Sequence, residues 1–326
     1  MQWLVAVLLL AAALGLPLWA AEHGTAAADP VTAAAGHPAS APGEGGHGEH
    51  AAPGLPLYAP EIFHVGPLPV SNSMLVTWIV ALGIILFARM ATRRIQEVPD
   101  GAQNFWEWLV ESLYDFLGSI LGPDLVKRTF WFFATIFIFI LFLNWFGLIP
   151  GVGTIGWNVQ MSDGSSEFRP LLRGANADLN LTFAMAMIFF VMWTVWALQT
   201  NGVGGMLAHI FGVKGDTTGI LRWLMVVVFF IVGILEVVSI CFRPVSLSFR
   251  LFGNVYAGEN MLEAMATLVK EPVWLRALAS VIIPIPFYFL EVLVGLVQAL
   301  VVTLLTAVFT LLICAHEEEP GHGAAH

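Results

Sequence analysis

The chain has 326 residues, of which 58% are hydrophobic and only 11% are charged, and its mean hydropathy is +0.81. A soluble globular domain carries about a quarter charged residues, so this composition excludes an ordinary soluble domain and indicates a protein that lies largely in a lipid bilayer. The formal net charge of −10 argues against nucleic acid as a partner.

The N-terminal region predicts an export signal followed by a tail outside the membrane. Residues 4–18 form an apolar run that suits the centre of a signal peptide and is shorter than the ~20 residues of a spanning helix, so residues 1–21 are interpreted as a signal peptide. Because no Lys or Arg precedes this run, a short anchor helix is the alternative. Residues 22–72 are expected to be a disordered outer tail, since they offer few large apolar residues to bury.

Three long apolar runs predict the first membrane-spanning helices, each about as long as a span requires. The runs are residues 74–92, 130–148 and 181–198. Between the first two, residues 103–121 repeat apolar positions at helical spacing, while Glu107, Glu111 and Asp115 step along another face. This pattern predicts an amphipathic helix, lying either on the membrane surface or against the protein's own loops.

The distribution of basic residues predicts the orientation. Five of them flank the connection between the first two spans: Arg89, Arg93, Arg94, Lys127 and Arg128. Short cytoplasmic loops carry an excess of Lys and Arg, so this connection is expected in the cytoplasm and the N-terminal tail outside.

The C-terminal half contains apolar runs that are too long for simple spans. Residues 223–269 would form ~70 Å of helix, whereas the hydrocarbon core is ~30 Å thick. Either two spans meet at a tight turn near Arg243 and Pro244, or one kinked helix crosses at a steep tilt. Residues 287–314 also exceed the bilayer, and Pro284 and Pro286 mark where this helix begins or bends. The membrane domain is therefore placed at 73–316, followed by a short acidic tail at 317–326.

Ionisable residues inside these runs indicate a functional site, because each costs ~2.5–3.5 kcal/mol at a helix centre on insertion scales. Arg250 keeps its charge under essentially all conditions and needs an acid or water nearby. Glu236, on nearly the same helical face, would pair with it in a purely structural role, whereas Glu259 lies on the opposite face. Glu291 and Gln298, seven residues apart, share one face of the last helix.

Three sequence segments together resemble one known family. Around Arg250, residues 246–259 read SLSFRLFGNVYAGE. Residues 143–150 read LNWFGLIP, and residues 177–182 read ADLNLT. With Gln298 in the last helix, this set closely resembles subunit a of the F-type ATP synthase membrane sector, and the resemblance covers roughly residues 74–315.

The resemblance implies an all-α polytopic protein with about five membrane-crossing helices, one amphipathic interfacial helix and a long, strongly tilted final pair. It implies a bacterial inner-membrane subunit with a cytoplasmic C-terminus, which binds a ring of c subunits and the b subunit. It also implies that the protein conducts protons, uses no cofactor or metal, and is no enzyme on its own.

The resemblance further assigns roles to six residues. Arg250 would meet and deprotonate the c-ring carboxylates and block leakage between two half-channels. Glu259 would belong to the outer half-channel and Glu236 to the cytoplasmic one, while Asn254 and Gln298 would lie near the arginine. Glu291 departs from the pattern, because some members have a histidine there, and two neighbouring carboxylates would share protons.

Two other classes of protein are alternatives for a chain of this composition. An intramembrane enzyme would need a nucleophile with a base or paired metal ligands, and the chain has no Gly-x-Ser-x-Gly or His-Glu-x-x-His motif. A channel or transporter acting alone would need no ring, but no internal repeat supports an inverted-repeat transporter. Cys241 and Cys314 lie in apolar runs and are predicted to be small buried residues rather than a disulfide or metal site.

Overall fold

The computed structural model describes residues 59–65, 68–160, 166–212, 220–269 and 272–314. The predicted signal peptide at 1–21, the tail up to residue 58 and the acidic segment 317–326 lie outside the described residues.

The described chain is mainly helical. Its helices are α1 (Asn72–Ala91), α2 (Gly101–Leu121), α3 (Pro123–Gly147), α4 (Leu179–Phe211), α5 (Ile220–Ala266), α6 (Val273–Ile282) and α7 (Pro284–Cys314). Two antiparallel hairpins pair β1 (Glu61–Val65) with β2 (Leu68–Ser71), and β3 (Gly156–Gln160) with β4 (Ser166–Pro170). Five helical segments are long and apolar enough to cross a membrane: α1, α3, most of α4, most of α5, and α6 with α7. The prediction of an all-α, multi-pass membrane protein is confirmed, with five candidate spans rather than the six that hydropathy alone suggests.

Polar caps and one turn glycine set where the first helices begin. The Ser71 hydroxyl accepts a hydrogen bond from the Met74 amide at 3.3 Å, and the Asp100 carboxylate accepts one from the Gly101 amide at 2.7 Å. Such caps satisfy amides that lack a partner in the first helical turn. Gly122 has a φ of +79°, which only glycine adopts easily, and it separates α2 from α3.

The amphipathic helix predicted at 103–121 is confirmed as α2. One of its faces packs against α1, α3 and α7, and Leu117 on that face is fully buried. The other face exposes aromatic side chains, with Trp108 61% exposed. The helix therefore packs on its own protein and still presents an aromatic surface outward.

The tight turn considered near Arg243 and Pro244 does not form. Helix α5 is continuous across Pro244 and has 47 residues in all. At 1.5 Å per residue it is ~70 Å long, so it must tilt or bend to fit a bilayer. Pro244 removes one backbone donor and does not end the helix. The break expected at Pro284 is present, because α6 ends at Ile282 and α7 begins at Pro284.

Two further expectations need correction. The last part of the 22–72 segment is not irregular, since β1 and β2 satisfy each other's peptide groups and Val70 is buried. Cys241 is exposed rather than buried, because it lies on the outward face of α5; Cys314 is partly buried.

The core lies where α3 meets α4 and α7. Phe132 and Phe133 of α3 are fully buried, and Trp196 of α4 packs edge-on against Phe132 with ring centroids 5.3 Å apart. At one end of this core, the Asn72 side chain donates a hydrogen bond to the Pro170 carbonyl at 3.1 Å. This bond fixes the end of β4 against the start of α1.

Candidate functional site

A small cavity with five polar side chains in its lining lies between α3, α5 and α7. Its volume is about 20 Å³, enough for about one water molecule. Its lining residues are Asn144, Gly147, Leu148, Asn254, Val255, Glu259, Glu291, Val294, Gly295 and Gln298. We call this space the outer cavity, because the resemblance to subunit a predicts that Glu259 belongs to an outer half-channel. It brings together four of the six predicted site residues, two of them from α5 and two from α7.

Glu259, in the lining of the outer cavity, forms an ion pair that the sequence patterns do not reveal. The Arg173 Nε lies 3.3 Å from Glu259 Oε2, and the Arg173 side chain is only 4% exposed. The Gly174 amide donates a further hydrogen bond to Glu259. A Cβ at Gly174 would overlap the Glu259 carboxylate, so this backbone approaches so closely because it carries no side chain.

A chain of amides holds the Arg173 segment in place. The Asn176 side chain donates to Asn144 Oδ1 at 2.6 Å, and the Asn144 amide donates to the Gly295 carbonyl at 3.0 Å. Asn176 belongs to a short 3₁₀ turn that follows Arg173, so the two bonds connect that turn to α3 and α7. Buried amides paired in this way fix the relative positions of three segments.

Another part of the outer cavity's lining joins α5 to α7. The Asn254 amide donates to Gln298 Oε1 at 2.6 Å, and the Gln298 nitrogen is buried without a hydrogen-bond partner among the described residues. Glu291 enters the space beside Gly258, where a Cβ would overlap its carboxylate. The prediction that Glu291 and Gln298 share one face is confirmed, because both line the outer cavity.

Arg250 lies apart from the outer cavity, on the exposed side of α5. Within the described part of the chain its guanidinium forms no salt bridge. Glu236 is half-buried and interacts electrostatically with Arg243 instead, so the structural pair considered between Glu236 and Arg250 is not formed. Glu259 pairs with Arg173 and not with Arg250, as its helical position predicts.

Arg243 is held by aromatic rings. Its guanidinium carbon lies 4.2 Å from the ring centroid of Phe309 and 5.6 Å from that of Trp193. The Trp193 indole donates to the Phe309 carbonyl at 3.2 Å, which fixes the two rings relative to each other. Cations within about 6 Å of an aromatic face are attracted by the ring quadrupole.

Asp178 lies at the start of α4 and next to the Arg173 segment. Its carboxylate accepts a hydrogen bond from the Asn180 amide at 2.9 Å and caps the helix. Burial raises the pKa of Asp178 above its ordinary value, while the Asn180 amide and the charge of Arg173 act in the opposite direction.

The family described as "ATP synthase A chain" matches residues 74–310, which is most of the chain. The chain belongs to this family. It is 30% identical over 249 residues to the ATP synthase subunit a of Moorella thermoacetica, covering 76% of this chain and 93% of the relative. It is 32% identical over 250 residues to that of Gloeobacter violaceus, covering 75% and 85%. The match to Protochlamydia amoebophila is 30% over 280 residues, covering 83% and 93%.

Members of the ATP synthase A chain family are membrane components of a larger complex, and this chain is not an enzyme on its own. Within this family member, Arg173 is the site residue that sequence reasoning missed. The available signal was weak: an arginine five residues before Asp178, in a short segment outside any apolar run. Its partner Glu259 lies 86 residues further along the chain, so no helical periodicity relates the two.

Proposed function

We propose that the chain is the proton-translocating stator subunit of an F-type ATP synthase. In this proposal it lies beside a ring of c subunits, is held by the b subunit, and supplies two proton half-channels. The observation that carries the proposal is Arg250, a permanent cation on the exposed side of an apolar helix with no salt bridge within the described residues. A charge at such a position calls for a partner on another polypeptide.

Arg250 is the point where the ring is deprotonated. A fixed cation stabilises the ionised form of an approaching carboxylate, so a c-subunit acid releases its proton as it nears Arg250. The same positive charge repels protons and prevents them from passing directly between the half-channels. The membrane potential supplies ~2.3 kcal/mol per charge per 100 mV, which drives the ring past the arginine.

The outer cavity belongs to the outer half-channel in this proposal. Glu259 and Glu291 exchange protons with water there, and Gln298 with Asn254 continues the polar path toward the ring. Asn254 lies four residues after Arg250, and residues at this spacing share one face of a helix. The path therefore leads from the acidic pair to the exposed arginine.

The cytoplasmic half-channel contains Glu236, whose electrostatic partner is Arg243. This assignment follows the predicted orientation, with the N-terminal tail outside and the C-terminus in the cytoplasm of a bacterium with an inner membrane. The basic residues between α1 and α3 support that orientation. An N-terminal export signal at 1–21 agrees with it.

The test is substitution of Arg250 in the assembled complex. Arg250→Ala is expected to abolish proton-driven ATP synthesis in inverted membrane vesicles while the complex still assembles, because no cation then discharges the ring. Arg276→Ala is the matched control, since Arg276 is an exposed arginine on α6 that does not line the outer cavity. Normal synthesis by Arg250→Ala would contradict the proposed function.

A further inference from the structure

The two carboxylates of the outer cavity have unequal surroundings. Glu259 faces Arg173 from the segment before α4, and it accepts a hydrogen bond from the Gly174 amide. Arg173 also interacts electrostatically with the Asp178 carboxylate. A buried carboxylate with a cation and a backbone donor has the partners that its ionised form requires.

Glu291 lacks such partners. It is half-buried on α7, beside Gly258 and close to Glu259. Among the residues that the structure describes, no cation and no hydrogen-bond donor contacts its carboxylate. An ionised Glu291 would therefore lie in a partly dry site next to a second negative charge, which is an arrangement that favours one shared proton.

We infer that Arg173 is a positioning residue that holds Glu259 ionised, so that the proton shared by the acidic pair rests on Glu291. This inference rests on the proposed function and specifies the order in which the two carboxylates carry the proton. Glu291 releases its proton along the Gln298 side of the outer cavity toward the ring. Glu259 then accepts one proton from outer water, passes it to Glu291 and returns to a carboxylate, so the pair gains and loses one proton in each cycle.

The cavity geometry supports this direction. Gln298 lies seven residues after Glu291 on the same face of α7, and its buried nitrogen lacks a hydrogen-bond partner in the described chain. The space between holds about one water molecule, which can bridge a protonated acid and an amide. Arg173 contacts Glu259 and does not line the cavity through which this path runs.

The protonation state can be read directly by infrared difference spectroscopy of the purified complex in lipid at neutral pH. Glu291→Gln is expected to remove the C=O stretch of a protonated carboxyl group, whereas Glu259→Gln removes a carboxylate band and no protonated one. This comparison leaves Arg173 intact, needs no turnover, and can therefore succeed or fail independently of the Arg250→Ala result. Loss of a protonated band in Glu259→Gln would overturn the inference.

The role of Arg173 is tested in the same complex. Arg173→Gln is expected to reduce ATP-driven proton pumping at least tenfold, and adding Glu259→Gln to it should now remove a protonated carboxyl band. Arg173→Lys keeps a cation and should recover most of the pumping as well as the wild-type spectrum. If Arg173→Gln fails to assemble, the Lys variant and the two single glutamate variants still decide the assignment. Two results would show that Arg173 does not hold Glu259 ionised. One is equal pumping by Arg173→Gln and wild type, and the other is a Glu259 that is still a carboxylate in Arg173→Gln.

Discussion

Two glycines make room for the two carboxylates of the outer cavity. A Cβ at Gly258 would overlap the Glu291 carboxylate, and a Cβ at Gly174 would overlap that of Glu259. In each case the glycine and the acid come from different segments, so the close approach is a product of tertiary packing. Residues that share a helix, such as Glu291 and Gln298, were predictable from spacing alone.

Gly258→Ala should therefore displace the Glu291 carboxylate from the outer cavity. We expect it to lower ATP-driven proton pumping in vesicles about tenfold, which corresponds to ~1.4 kcal/mol. Gly83→Ala is the matched control, because Gly83 also lies in a membrane-spanning helix, outside the lining of the outer cavity, and its added methyl meets nothing. Equal pumping by both variants would show that the position of Glu291 does not matter.

At the scale of elements, α5 carries the site and is fixed by contacts to α4 and α7. Arg243 reaches the rings of Trp193 on α4 and Phe309 on α7, and the Trp193 indole donates a hydrogen bond to the backbone carbonyl of Phe309. In the first turn of α4, the Thr182 hydroxyl lies 3.1 Å from that of Ser248 in a buried contact with α5. Arg243 and Ser248 both precede Arg250 by at most seven residues, so these contacts restrain the part of α5 that leads to it.

The contact between Arg243 and Phe309 should be measurable as a coupling free energy. A double-mutant cycle with Arg243→Met and Phe309→Leu is expected to give about 0.5–2 kcal/mol from thermal unfolding of the solubilised complex, the range for a cation over an aromatic ring. The control cycle combines Arg243→Met with Leu312→Ala, since Leu312 is on the same helix as Phe309 and is 60% exposed. Coupling no larger than in the control would assign the contact no role in stability.

The elements also show which parts of the fold could be predicted. Apolar runs located all the spans, because a helix in lipid must satisfy its own backbone and bury few charges. The apolar runs underestimated how far a helix extends: α3 begins at Pro123, since the polar turn before Phe130 is still helical. They could not decide between a turn and a continuous helix at Pro244, because proline permits both when neighbouring helices pack around it. The pairing of Arg173 with Glu259 depends on how a short outer segment folds back, which no local pattern encodes.

At the scale of the whole molecule, α5 exposes a long apolar face in its first half and a cation in its second. Trp223, Leu235 and Phe242 are each at least 63% exposed, and Arg250 follows on the same helix. The apolar part suits lipid or a membrane partner, whereas the arginine suits neither lipid nor an apolar partner. The proposed ring, with one carboxylate per subunit, satisfies both parts of this surface.

The most direct test of this account is a structure of the chain assembled with its c ring. The account predicts that Arg250 faces the ring, with the carboxylate of a c subunit as its nearest acid, and that Glu259 remains paired with Arg173. A structure in which Arg250 forms a salt bridge to an acid of its own chain and points away from the ring would contradict it.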